Sequence, residues 1–273
     1  LVRLACVAET CKAIERMLGQ GEPSAADLGA IQKVLEEEEA HPALLIMARG
    51  ERAMHQAVLE RIENGEISLE EVVGQAKTSW WDRLTAFYVR DKFREHHPLL
   101  LDFDAQMIEI ARLPPHERAL PLKNFLTRVQ EEKKKPALFL LPALAKLENA
   151  CRRPQTRMRC LCAALAAERY RQAQGKWPDS LDRLVPLFLS AVPLDTFDGT
   201  PLRYRRLADG IVIFSAVSFY SVDSAGEDNQ GELNLGQSAQ PGTDFSIRLW
   251  DVKHRRQPPR PREKIPEPPD VPD

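Results

Sequence analysis

Several common signatures are missing from this chain, and each absence removes a class of function. Glycine supplies only 13 of 273 residues, and neither a phosphate-cradling Gly-x-x-x-x-Gly-Lys-[Ser/Thr] nor a Gly-x-Gly-x-x-Gly following a strand occurs. Gly-x-Ser-x-Gly and His-Glu-x-x-His are absent too, which leaves no recognisable nucleophile elbow or zinc-protease frame. No Cys-x-x-Cys occurs among the five cysteines. Cys6 and Cys11 are also poorly placed for a local disulfide, because five helical residues set side chains about 140 degrees apart. The cysteines therefore read as small buried hydrophobes rather than redox or metal ligands. Charge of one sign is lacking as well: 38 basic and 40 acidic side chains give a net charge of -2. No global field draws nucleic acid or an anionic membrane to such a surface. Finally, no uninterrupted run of about 18 apolar residues is present to cross a bilayer as a helix.

What is present is enough apolar material for a sizeable core, at 43% hydrophobic residues, and a long succession of helical patterns. Leu4, Val7, Cys11, Ile14 and Leu18 form one stripe, ending at Gly19 and Gly21. Ser24, with Asp27 three residues on, caps a second helix through Leu28, Ile31 and Leu35. The run Glu36 to Glu39 reads as its solvated face, with a cation site as the alternative. Pro42 opens a third helix that stops at Asn64-Gly65, and Ser68 with Glu71 begins a fourth. A fifth carries Trp80, Trp81, Phe87 and Tyr88 and is predicted to end before Pro98; a sixth spans Leu99 to Leu113 and a seventh Leu120 to Val129. Short connections and the lack of a fixed period predict antiparallel neighbours without a regular solenoid. His96-His97 with Asp102 and Asp104 has metal-binding chemistry but no recognised ligand spacing, and His41, His55 and His116 stand alone.

From Arg157 the pattern changes. Met158, Leu161, Cys162, Leu165 and Ala166 predict an amphipathic helix ending at Gly175, followed by a short helix begun by Ser180 and Asp182. Strands are expected at 202–207, 211–217 and 245–250, with Trp177 buried between the helix end and the turn around Phe197. Gly175-Lys176-Trp177-Pro178, Leu184-Val185-Pro186 and then Pro193-Leu194-Asp195-Thr196-Phe197-Asp198-Gly199-Thr200-Pro201-Leu202-Arg203-Tyr204 follow in order. This order resembles the globular part of the major pseudopilin of type II secretion, the general secretion pathway protein G family, over roughly residues 157–250. The resemblance implies a long helix on a small antiparallel sheet, closed by a loop that holds calcium. It implies Asp223, Asp228 and Asp244 as metal-ligand candidates in that loop, beside Glu227 and Glu232. The chain departs from the family in having Thr196 after Asp195 and in a longer loop, and no membrane helix precedes Arg157.

The expected architecture is thus α+β: an all-α helical domain at 1–135, a connecting helical segment at 136–156, a pseudopilin-like α+β domain at 157–250 and a Pro-rich tail at 251–273 that cannot bury a core. The expected function is a noncatalytic structural or protein-interaction role, secretion-associated, with protein partners or self-association, calcium as the implied ion and no nucleic acid. Membrane attachment would come only through an N-terminal anchor upstream of Leu1, which would also place the chain outside the cytoplasm. The alternative is an enzyme or ligand-binding protein whose site lies in the helical half, lined by Trp80, Trp81, Phe87 and Tyr88.

Overall fold

A computed structural model describes residues 2–67, 80–132, 143–215 and 245–256, with side chains from Asp91 onward in the second stretch and from Leu147 onward in the third. The fold is α+β. Its helices are α1 (Val2–Gln20), α2 (Ala25–Glu39), α3 (Ala43–Glu63), α4 (Trp80–Arg112), α5 (Ala119–Glu132) and α6 (Ala143–Gln174). Strands β1 (Arg203–Leu207), β2 (Gly210–Phe214) and β3 (Ser246–Trp250) form one antiparallel sheet in the order β1-β2-β3.

Local signals set several of these limits. Ser24 accepts a hydrogen bond from the Asp27 backbone and starts α2, supplying a partner to an otherwise unsatisfied N–H. Gly175 follows α6 at φ 71°, the left-handed conformation glycine tolerates best. At the β1–β2 hairpin Gly210 has φ 155°, and a Cβ there would lie 2.0 Å from the Leu249 carbonyl oxygen. Only glycine lets β3 approach so closely.

Two expected helix ends are corrected. Pro98 does not stop a helix but lies inside α4, and the helix expected from Arg157 starts at Ala143, with Pro154 inside it. Proline removes one ladder hydrogen bond. Pro98 and Arg94, whose carbonyl loses its partner, are both exposed, so water can replace that bond. Packing holds the two flanks together: Phe93 before the proline and Leu100, Phe103 and Met107 after it are all fully buried in one core.

Two cores result. One joins Leu44, Leu59 and Ile62 of α3 with Phe93, Phe103 and Met107 of α4, Phe125 of α5 and Cys151 of α6. Phe103 and Phe125 meet edge to face at 5.7 Å. The other joins Cys11 and Leu18 of α1, Leu28 and Leu35 of α2, Leu161 and Leu165 of α6, and the inward face of the sheet at Ile211, Ile213, Ile247 and Leu249. Packing therefore groups α1 and α2 with the sheet rather than with α3–α5. The amphipathic reading of α6 is corrected by the same fact, since every residue from Cys160 to Glu168 is buried. The helices α1 and α2 cover the side of α6 that the sheet leaves open, and the alanines and cysteines of this stretch permit close approach on all sides. Cys6 is corrected as well: it is exposed, while Cys11, Cys151, Cys160 and Cys162 are buried and all five are free. Burial pushes the Cys11 thiol up to about 11, which suits a packing role rather than reactivity.

Candidate functional site

The turn that carries the family resemblance is organised around one fully buried carboxylate. Asp195 accepts hydrogen bonds from the Phe197 backbone at 3.0 Å, from the Ser215 hydroxyl at 2.8 Å and from Arg203 at 3.0 Å. Its main chain also pairs with Thr200 and Gly199. A carboxylate with this many donors fixes the turn and couples it to the end of β2. Thr196 is fully buried too and shares a hydrogen bond with Thr156 of α6.

Ser215 and Phe245 are the roots of the 216–244 connection, and the protein's own contacts hold them side by side. The Ser215 N–H donates to the Phe245 carbonyl at 3.0 Å. Phe245 stacks on Phe197 with centroids 6.1 Å apart, Arg152 lies over Phe197 at 5.2 Å and Arg153 over Phe245 at 5.6 Å. Cation–π and stacking contacts thus clamp the roots to α6. On its other side the turn touches the helical half: a Cβ on Gly199, at φ 72°, would lie 2.6 Å from the His116 ring.

No protein-family model, curated protein or solved structure matches this chain.

Asp223, Asp228 and Asp244 lie outside the described residues, as do the side chains of Trp80, Trp81, Phe87 and Tyr88, the Ser68 cap and the Pro-rich tail beyond Arg256. Among the described residues no group of three or more His, Cys, Asp and Glu side chains is arranged to hold a metal ion. The His96-His97-Asp102-Asp104 candidate is dispersed. His97 contacts Glu63 at 2.8 Å, Asp102 meets Arg128 at 3.2 Å, and Asp104 turns inward to His55, with 3.0 Å from Nδ1 to each carboxylate oxygen. Both His55 and Asp104 are 1% exposed, so the pair braces α3 against α4 out of reach of solvent. The Glu36–Glu39 run is divided in the same way: Glu38 binds Arg3 of α1, and Glu39 binds Arg159 and Gln155 of α6.

Trp177 is buried, but its partner differs from the expected one. Its indole N–H donates to Asp251 at 2.6 Å and Arg171 lies over its ring at 5.5 Å. Phe197 instead sits by Arg152, about 28 Å along α6 from Arg171 at the usual helical rise. The clearest polar lock is one that no sequence motif marks. Glu168, fully buried, accepts from Arg171 at 2.7 Å and from Arg255 at 2.8 Å, while Arg255 also donates to the Gly21 and Trp250 carbonyls. It ties the segment after β3 to α6 and to the α1–α2 connection.

Proposed function

We propose that this chain is a noncatalytic interaction protein whose pseudopilin-like module serves a secretion-associated assembly, carried on a helical platform. The supporting observation is the Asp195-centred turn joined through Ser215 to the roots of the 216–244 connection. Binding residues are commonly carried on connections whose ends a rigid scaffold fixes. That connection contains Asp223, Glu227, Asp228, Glu232 and Asp244 and neither lysine nor arginine. Crowded carboxylates repel one another, and a hard divalent cation with oxygen ligands relieves that repulsion. Calcium held by Asp223, Asp228 and Asp244 would order the connection and create the surface that a protein partner or a second copy recognises.

Thermal unfolding with calcium and with excess chelator tests the proposal. Calcium at about 100 times its dissociation constant should stabilise by about 2.7 kcal/mol if it binds only the folded chain. Asp223→Ala or Asp244→Ala should abolish the upward shift, and magnesium should do much less because it requires tighter octahedral geometry. Identical melting in calcium and chelator, for a chain whose circular dichroism shows it folded, would overturn the calcium-dependent assembly.

A further inference from the structure

Where the two cores meet, the start of α3, the end of α4 and the middle of α6 enclose a cleft of about 440 Å³. Leu4, Val7, Leu44, Leu45, Leu113 and Met158 give it apolar walls. A space of this size lies in the usual range for small-molecule sites.

The charges that reach the cleft are unevenly matched. Glu38 on its rim is taken by Arg3 at 2.6 Å and Glu39 by Arg159 at 2.8 Å. Arg118, only 8% exposed, donates through Nε to the Leu113 carbonyl at 2.9 Å and through Nη2 to the Ala111 carbonyl at 3.3 Å. Among the described residues it forms no ion pair. The carboxylate that acts on it most, Glu148, is held by Arg152 at 2.6 Å. Arginine does not shed its proton in a protein, so this guanidinium remains a buried cation without a matched anion. His41, which also lines the cleft, has a buried Nδ1 with no hydrogen-bond partner among the described residues.

We propose that the cleft binds a small carboxylic acid with an apolar body, the carboxylate against Arg118 and His41 and the hydrocarbon against Leu44, Leu45 and Met158. One unmatched guanidinium suits a monoanion, because Glu38, Glu39 and Arg112 are already paired with Arg3, Arg159 and Glu109; a phosphate dianion would bring a second charge without a partner and no hydrocarbon for the walls. The apolar walls add burial of hydrocarbon to the charge-assisted hydrogen bond. The inference is independent of the calcium reading.

Calorimetric titration of the full chain with octanoate, 1-octanol and inorganic phosphate at neutral pH tests it. Octanoate should bind about tenfold or more tighter than octanol, the ratio expected when a buried hydrogen bond to a charged group is at stake. Phosphate should give no binding. Arg118→Gln should erase the preference for octanoate over octanol. Leu45→Asp, which puts a carboxylate on the apolar wall and leaves the Arg118 hydrogen bonds alone, should weaken binding of both, octanoate the more; this variant decides the matter even if Arg118→Gln fails to fold. Equal affinity for octanoate and octanol would overturn the proposal, as would phosphate binding as tightly as octanoate. Octanoate affinity unchanged by Leu45→Asp, or no octanoate binding at all, would overturn it too.

Discussion

Two fully buried carboxylates sit on α6, Glu148 near its start and Glu168 near its end, and their surroundings act on them in opposite senses. At Glu148 burial dominates: Arg152 bonds only one oxygen, Oε2 has no partner among the described residues, and the carboxyl is pushed above its ordinary range. At Glu168 the same loss of water is outweighed, because Arg171 and Arg255 each bond both oxygens, and the carboxyl is held below its ordinary range. A buried charge is thus stabilising only where its hydrogen bonding is complete. The complete site closes the sheet core by joining chain segments far apart in sequence. The incomplete one lies at the junction of the two cores, within electrostatic reach of Arg118.

Removing the carboxylates should separate the two sites most clearly. Glu168→Ala leaves the Arg255 side chain, 2% exposed, charged in the interior, and should cost about 3–5 kcal/mol. Glu148→Ala likewise strips a buried cation, Arg152, of its carboxylate, but it also removes a carboxyl with one unsatisfied oxygen, so it should cost less, about 1–3 kcal/mol. Urea unfolding midpoints measure both. Similar losses would show that the two sites are equally well satisfied.

The helical patterns were readable because their stripes are strong and their caps conventional: α1, α2 and α3 end at or near Gly21, Ala40 and Asn64, as Gly19-Gly21, the acidic run and Asn64-Gly65 suggest. Pro98 misled because a local rule about hydrogen bonds cannot weigh the packing of both flanks. The complete burial of 160–168 was hidden for a related reason, since alanine and cysteine look alike on a covered face and an uncovered one. Partnerships across long sequence separation left no pattern at all. Nothing in the spacing of His55 and Asp104, or of Glu168 and Arg255, marks them as neighbours. Of the turn that carries the resemblance, Asp195, Gly199 and Pro201 were visible, whereas Ser215 as the partner of Asp195 was not.

The opposed carboxylates also give opposed responses to pH, of the next size down. Glu168, depressed in the folded chain, contributes stability that is complete above its ordinary value of 4.5 and is lost as pH falls through the lower folded value. Glu148, raised in the folded chain, contributes stability that is complete below 4.5 and is lost as pH rises through the higher folded value. A tenfold difference in proton affinity between folded and unfolded chains corresponds to about 1.4 kcal/mol. On acidification from neutrality, the advantage of the wild type over Glu168→Gln should shrink. Relative to Glu148→Gln the wild type should improve. Parallel pH curves for the two variants would remove the contrast.

The smallest expected difference separates two serines that look alike in sequence. Ser24 and Ser180 each precede a helical pattern with an acidic residue soon after. Ser24 Oγ accepts from the Asp27 N–H at 3.1 Å and donates to its carboxylate at 2.6 Å, whereas Ser180 makes no cap to the backbone and reaches only the Asp182 side chain at 3.3 Å. The backbone beyond each serine makes the difference. A regular helix places the third N–H after Ser24 within reach of its oxygen, while Leu181–Leu184 forms a single 3-10 turn that leads to Pro186. Ser24→Ala should therefore cost about 1 kcal/mol, and Ser180→Ala less than about 0.5 kcal/mol. Asparagine at position 24 should restore most of the loss, since its side-chain oxygen can accept the same bond. Equal destabilisation by the two alanine variants would mean that both serines act through packing rather than capping, and the distinction between a capped helix and an uncapped turn would fail.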